Sequence, residues 1–291
     1  FDIIEQIEKG GAKSSKEGGS IHVGVDALPS LAKDTTDRNR TSPFAFTGAK
    51  FEFRAVGSNQ NPSASNTVLN TIVAQAISEI CDQLEADKKA GKDFNGSLQK
   101  ILQEIIKKHK RVLFNGDGYT DAWHKEAKKR GLPNMKTTPE ALEVLKSKKN
   151  IDVLVNHQVL SAKEVASRYE INKHAYDTVI ALEGGCALTM ARTQLIPAAI
   201  EYQKELADNI KSVGSAGKMI AQKKLLKTVS ALIDEALTIA DALEAAVAKH
   251  DSAKTNVAMG KLREAIDELE GLVPNSLWPV PSYAEMLLMN A

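Results

Sequence analysis

Glu52 and Arg54 stand two residues apart on a stretch otherwise built for burial, and Arg38 and Arg40 come shortly before it. From Lys50 to Val56 polar and apolar residues alternate at the period of a β-strand. Lys50, Glu52 and Arg54 therefore share one face, and Phe51, Phe53 and Ala55 take the other. A carboxylate and guanidinium groups are costly to desolvate unless they meet each other, a metal ion or a charged ligand. Such a face suits a wet cleft that receives cations and anions together. It also suits a solvated outer face on which Glu52 merely pairs with its neighbours, worth about 0–1 kcal/mol.

The elements that must position these groups are short. Phe44, Ala45 and Phe46 form a partner strand, and Thr47-Gly48-Ala49-Lys50 supplies a Gly for a tight turn, so the stretch reads as a β-hairpin whose aromatic side needs a core. A helix follows, capped by Ser65 or Asn66, with Leu69, Ile72, Val73, Ala76, Ile77, Ile80 and Leu84 as its apolar stripe packed under the hairpin.

The chain has 291 residues, 43% of them hydrophobic and 26% charged, which are values of an ordinary globular protein. Lys and Arg number 38 against 37 Asp and Glu, and a net charge of +1 gives no field to recruit nucleic acid or anionic lipid. Nucleic-acid and membrane partners are not expected. Cys81 and Cys186 make neither a metal spacing nor a disulfide framework, which points to a reducing compartment. The first residue is Phe1 rather than Met, inside an amphipathic pattern, so a fragment of a longer protein is expected.

Lys9 to Ser20 is rich in Gly, Ser and Lys, but G-x-x-x-x-G-K-[ST] cannot be fitted there. Farther on, Asn115, Asp117 and Glu126 occupy positions 1, 3 and 12 of a calcium loop. Thr120 stands where that loop needs Gly, which excludes it. Trp123-His124 with Glu126 reads either as a reactive cluster or, more simply, as a capped helix start with an aromatic anchor and an exposed His. Beyond residue 138 helices are expected over Thr138–Lys148, Ser161–Ala181, Cys186–Asp208, Lys218–Lys249 and Ser252–Leu269, with breaks or kinks at Gly184-Gly185 and Pro197. The fold class is therefore α+β and mostly α, a small antiparallel hairpin piece at 1–90 followed by a helical domain at 91–291.

The wording of the hairpin stretch, DRNRTSPFAFTG followed by FEFRAVGS, resembles the C-terminal catalytic segment of type III glutamine synthetases. NGDGY, WHKEA, RGLPN and the closing LWPVPSYAEMLLM resemble the same family. The resemblance implies ATP-dependent joining of ammonia to glutamate through γ-glutamyl phosphate, with Mg²⁺ or Mn²⁺ on the phosphates. It implies Glu52 as one of several metal ligands, Arg54 as a glutamate contact, and Arg40 as the catalytic arginine near the γ-phosphate, touching both ATP and glutamate. Many family members carry a further ATP-contacting arginine where this sequence has Ala45, and Lys50 is the candidate substitute. Asp26 and Asp34 are candidates for an acidic lid residue, and Arg38 takes no family role.

The remaining metal ligands belong to sequence upstream in the family, so the 291 residues are expected to be inactive alone. A cytoplasmic homo-oligomeric ring, a dodecamer in full-length form, follows from the same resemblance, with roles in nitrogen metabolism and glutamine biosynthesis. Two alternatives stand beside it. One is a helical assembly or regulatory module without catalysis. The other is a ligase joining glutamate to another amine.

Overall fold

The computed structural model describes residues 2–10, 20–21, 31–32, 41, 43–46, 50–54, 61–281 and 283–288. Arg38, Arg40, Asp26 and Asp34 lie outside the described residues. The architecture is mostly helical with a small two-stranded antiparallel sheet at the expected place, and a second two-stranded pairing joins β1 (Ser20–Ile21) to β2 (Leu31–Ala32). The chain divides into two compact units, residues 1–166 and 167–291.

In the first unit, helix α1 (Asp2–Glu8) ends at Gly10, whose φ of +89° suits a residue without a Cβ. The hairpin pairs β3 (Phe44–Phe46) with β4 (Phe51–Phe53) in the register Phe44 to Phe53, Ala45 to Glu52 and Phe46 to Phe51. The aromatic side does not find the core that alternation called for. Phe44, Phe51 and Phe53 are 48%, 61% and 44% exposed, while Ala45, paired with Glu52 on the other face, is buried. A lone two-stranded ribbon buries neither face by itself. The rings meet one another instead, with Phe44 stacked on Phe51 at 5.0 Å between centroids.

Helix α2 (Ser63–Lys89) begins earlier than Ser65, because the side-chain oxygen of Asn61 accepts the backbone N–H of Ser63. Its principal neighbours are α3 (Phe94–His109) and α6 (Lys148–Asn156) rather than the hairpin. Leu69, Ile80 and Leu84 are half-buried, while Ile72, Val73 and Ile77 remain exposed. Asp93 starts α3 by accepting the N–H of Gly96 at 2.8 Å, and Lys107 and Lys108 place positive charge at its C-terminal turn. The expected helix over 138–148 is divided into α5 (Thr138–Leu142), a 3₁₀ turn (Glu143–Lys146) and the start of α6.

The second unit is a helical core. At Gly184-Gly185, where a break or kink is expected and small residues suit close helix contact, α7 (Ala162–Met190) runs through both. The break comes at a π-helical turn, Ala191–Leu195, immediately before Pro197 in the first turn of α8 (Ile196–Val213). Proline cannot donate to the helix ladder and crowds the carbonyl four residues earlier, so the added residue of a π turn relieves the clash. The long helix α9 (Ile220–Ala248) buries Val229, Ile233, Ala236, Ala240 and Leu243 along one stripe and packs on α8 and on α10 (Ser252–Glu270). Small residues at 236 and 240 let the backbones approach, while Leu243 and Leu269 are fully buried, each contributing about 1.5–3 kcal/mol. Asp251 caps α10 through the N–H of Lys254 at 3.0 Å. Trp278, from the closing LWPVP, is buried in this core, and α11 (Tyr283–Leu288) follows.

The two adjacent glycines of α7 differ sharply in what surrounds them. A Cβ on Gly184 would lie 2.6 Å from Thr255 Cγ2 and 2.9 Å from Val247 Cγ2, whereas one on Gly185 would meet nothing within 4 Å. Gly184→Ala is therefore expected to cost about 1–3 kcal/mol by overpacking. Gly185→Ala should stabilise by about 0.5–1 kcal/mol through reduced backbone entropy. Thermal unfolding of the two variants checks this, and equal midpoints would refute the packing at Gly184.

Candidate functional site

The ribbon brings Glu52 and Arg54 together as alternation requires. Arg54 Nη2 donates to Glu52 Oε2 at 3.1 Å, and Lys50 Nζ lies 3.3 Å from Oε1, so each carboxylate oxygen faces its own cation. Arg54 is held at its backbone too, since its N–H donates to Pro43 O at 2.9 Å and extends the ladder one step past β4. The side chains of Glu52 and Arg54 are 37% and 32% exposed, against 70% for Lys50. The Arg54 hydrogen bond, and after it that of Lys50, holds the Glu52 carboxyl below the usual glutamate range. This cluster can accept a cation on its carboxylate or an anion on its two basic groups, at the expense of the internal pairs.

As a metal centre the described residues do not suffice by themselves. They contain no group of three or more His, Cys, Asp or Glu that could hold an ion, and Glu52 offers a single carboxylate already flanked by cations. Of the expected site residues, then, Lys50, Glu52 and Arg54 are adjacent on one ribbon, and Arg40 is outside the described residues.

The NGDGY segment makes a long-range contact that no pattern within it announces. Thr41, the residue after Arg40, accepts the backbone N–H of Gly118 on Oγ1 at 2.6 Å and donates to Gly116 O at 3.3 Å. The simpler reading of Trp123-His124 holds. Thr120 caps α4 (Asp121–Lys129), the Trp123 ring stacks on Phe114 at 3.8 Å, and the Arg130 guanidinium lies 5.3 Å from the Trp123 centroid. His124 is exposed, with Asn134 at 3.5 Å as its side-chain neighbour. Cys81 and Cys186 are free thiols, both exposed. No helix among the described residues is long and apolar enough to cross a membrane.

Comparison with known proteins matches residues 97–214 to the family described as glutamine synthetase C-terminal domain. A type-3 glutamine synthetase of Dictyostelium discoideum is 36% identical over 93% of this chain and 39% of its own length. A glutamine synthetase of Bacteroides fragilis is 30% identical over 98% of the chain, and one of Butyrivibrio fibrisolvens 32% over 98%, each over 42% of its own length. The chain thus spans about two-fifths of the length of the curated relatives it matches. Along nearly all of its residues the chain is homologous to glutamine synthetases, glutamate–ammonia ligases, a type-3 enzyme among them, and its residues 97–214 match their C-terminal domain.

Proposed function

We propose that this chain supplies the E-x-R ribbon and the helical extension of an ATP-dependent glutamate–ammonia ligase. The observation that carries the reading is the placement of Glu52 and Arg54 side by side and half-buried on one ribbon face, in a chain that aligns with type III glutamine synthetases. The reaction transfers the γ-phosphoryl group of ATP to the side-chain carboxylate of glutamate, releasing ADP. Ammonia then attacks the γ-carbonyl carbon of the acyl phosphate, phosphate leaves, and one proton is lost to give glutamine. Arg54, freed from Glu52, would grip the glutamate carboxylate by two parallel N–H bonds. Arg40 would face the charge that develops on the transferring phosphoryl group, and Lys50 would reach toward the ATP phosphates as a point charge. A divalent cation, Mg²⁺ or Mn²⁺, would neutralise the phosphates, with Glu52 as one hard oxygen donor among ligands from elsewhere.

The boundary near residue 90 between catalytic segment and extension is part of this proposal, and the family match beginning at residue 97 supports it. So are a cytoplasmic location and assembly of full-length copies into a ring, a dodecamer by family resemblance.

In a full-length version, Arg40→Ala or Glu52→Gln should reduce glutamine formation at least about 100-fold, the scale of losing a group that meets transition-state charge, while leaving the unfolding midpoint close to that of the parent. Near-normal rates from both would refute the site assignment. A thermal-shift series with Mn²⁺, ATP and methionine sulfoximine should raise the midpoint of the full-length protein stepwise; a flat series favours an assembly module without catalysis. The 291 residues alone should make no γ-glutamyl product, and turnover by them would overturn the need for further ligands.

The carboxyl of Glu52 gives a pH test on this chain itself. Because its folded value is lowered, the Arg54 and Lys50 pairing is present at and above the usual glutamate range and disappears as pH falls through the lowered value. Arg54→Met should move the Glu52 titration, followed by carboxyl ¹³C NMR, back up toward that range. An unmoved titration would mean that the pair does not form.

A further inference from the structure

The Gly-rich turn between the 3₁₀ segment Lys110–Val112 and α4 is built more firmly than a solvent loop requires. Arg130 holds both of its sides. Its Nη1 donates to Leu113 O at 2.9 Å, its Nε is fixed by Glu126 Oε1 at 2.9 Å, and its guanidinium covers the Trp123 ring, which stacks on Phe114. Gly116 then takes a φ of +151°, and a Cβ there would lie 3.1 Å from Phe114 Cζ. At Gly118 a Cβ would come within 3.1 Å of Thr41 O and 3.2 Å of Thr41 Oγ1. A Cβ at either glycine would crowd its neighbour, the aromatic stack at Gly116 and Thr41 at Gly118.

The Thr41 hydroxyl both accepts from Gly118 N and donates to Gly116 O on this loop. These partners lie more than seventy residues away in sequence, so local structure does not explain the contact. Thr41 is also the last residue of the Asn39-Arg40-Thr41 triplet. We infer that Thr41 is a positioning residue: the 113–120 loop, braced by Phe114, Trp123 and Arg130, holds the chain at Thr41, the residue next to Arg40, and phosphoryl transfer depends on that hold. The inference rests on the function proposed above. It adds to it a task for NGDGY, WHKEA and Arg130, which otherwise serve only as local packing. A misplacement on the order of 1 Å at a reacting group is enough to cost about 100-fold in rate, so a clamp at the neighbouring residue has ample leverage.

The experiment uses the full-length enzyme and compares Thr41→Val, Thr41→Ser, Gly118→Ala and Arg40→Ala. Thr41→Val is nearly isosteric and removes both hydrogen bonds; Thr41→Ser keeps them. The expected result is a kcat about 10- to 100-fold lower for Thr41→Val and Gly118→Ala, with ATP KM within about threefold of the parent and Thr41→Ser within about threefold in kcat. Rates are referred to active sites titrated with methionine sulfoximine and ATP, so loss of folded protein does not count as loss of kcat. If kcat per site is unchanged in Thr41→Val and Gly118→Ala while Arg40→Ala is inactive, the clamp is refuted and the proposed function stands. If Arg40→Ala retains turnover, the function itself fails. Should Thr41→Val not fold, Gly118→Ala decides, because it leaves the hydroxyl in place and displaces only the contact. A Thr41→Ser variant as impaired as Thr41→Val would also overturn the inference.

Discussion

A carboxylate between two cations on a two-stranded ribbon is the constraint around which the described part of the first unit makes sense. Glu52 cannot be half-buried as a bare charge, and Lys50 and Arg54 offset its desolvation from either side. The arrangement holds itself together without ligand, yet at 37% and 32% exposure it stays within reach of solvent and of anything that competes for its partners. That combination separates a poised site from a buried ion pair, which would resist exchange. It also explains how a carboxylate and a guanidinium can stand two residues apart on one ribbon face without either being stranded.

The helical extension follows different physics. In residues 167–291 the core is made by α9 and α10, and small residues set how closely their backbones approach. Around this core, polar contacts fix register more than they add stability. Arg192 joins the π turn to α9 through Asp241 at 2.6 Å and Glu244 at 2.8 Å, and Ser252 at the start of α10 donates to Asp177 of α7 at 2.7 Å. The pairs are largely exposed, so their energetic share is small, on the order of 1 kcal/mol or less.

Between these two regimes lies the loop at 113–120, where an aromatic stack and a guanidinium create a rigid backbone surface. Glycine on that surface is what lets a threonine hydroxyl from a distant segment dock against bare peptide groups. Hydrogen bonds to backbone are well suited to this task, because peptide N–H and C=O groups cannot swing away as a side chain can. A loop that had looked in the sequence like a failed calcium site is better understood as a socket.

The sequence by itself determined whatever depends on period and residue type. The two-residue alternation put Glu52 and Arg54 on one face, the helical stripes of α9 and α10 were legible almost to their ends, and the N-R-T and E-x-R wording carried the family. Only the tertiary structure decided what depends on which surfaces meet. It left Phe44, Phe51 and Phe53 exposed, carried α7 unbroken through two glycines of which only Gly184 is crowded, and gave the irregularity expected at Pro197 the form of a π turn. It also joined Thr41 to Gly118. Periodicity is a local property, fixed by a few neighbouring dihedrals. A contact between residues seventy apart is set by the packing of everything between them, and no pattern within either segment records it.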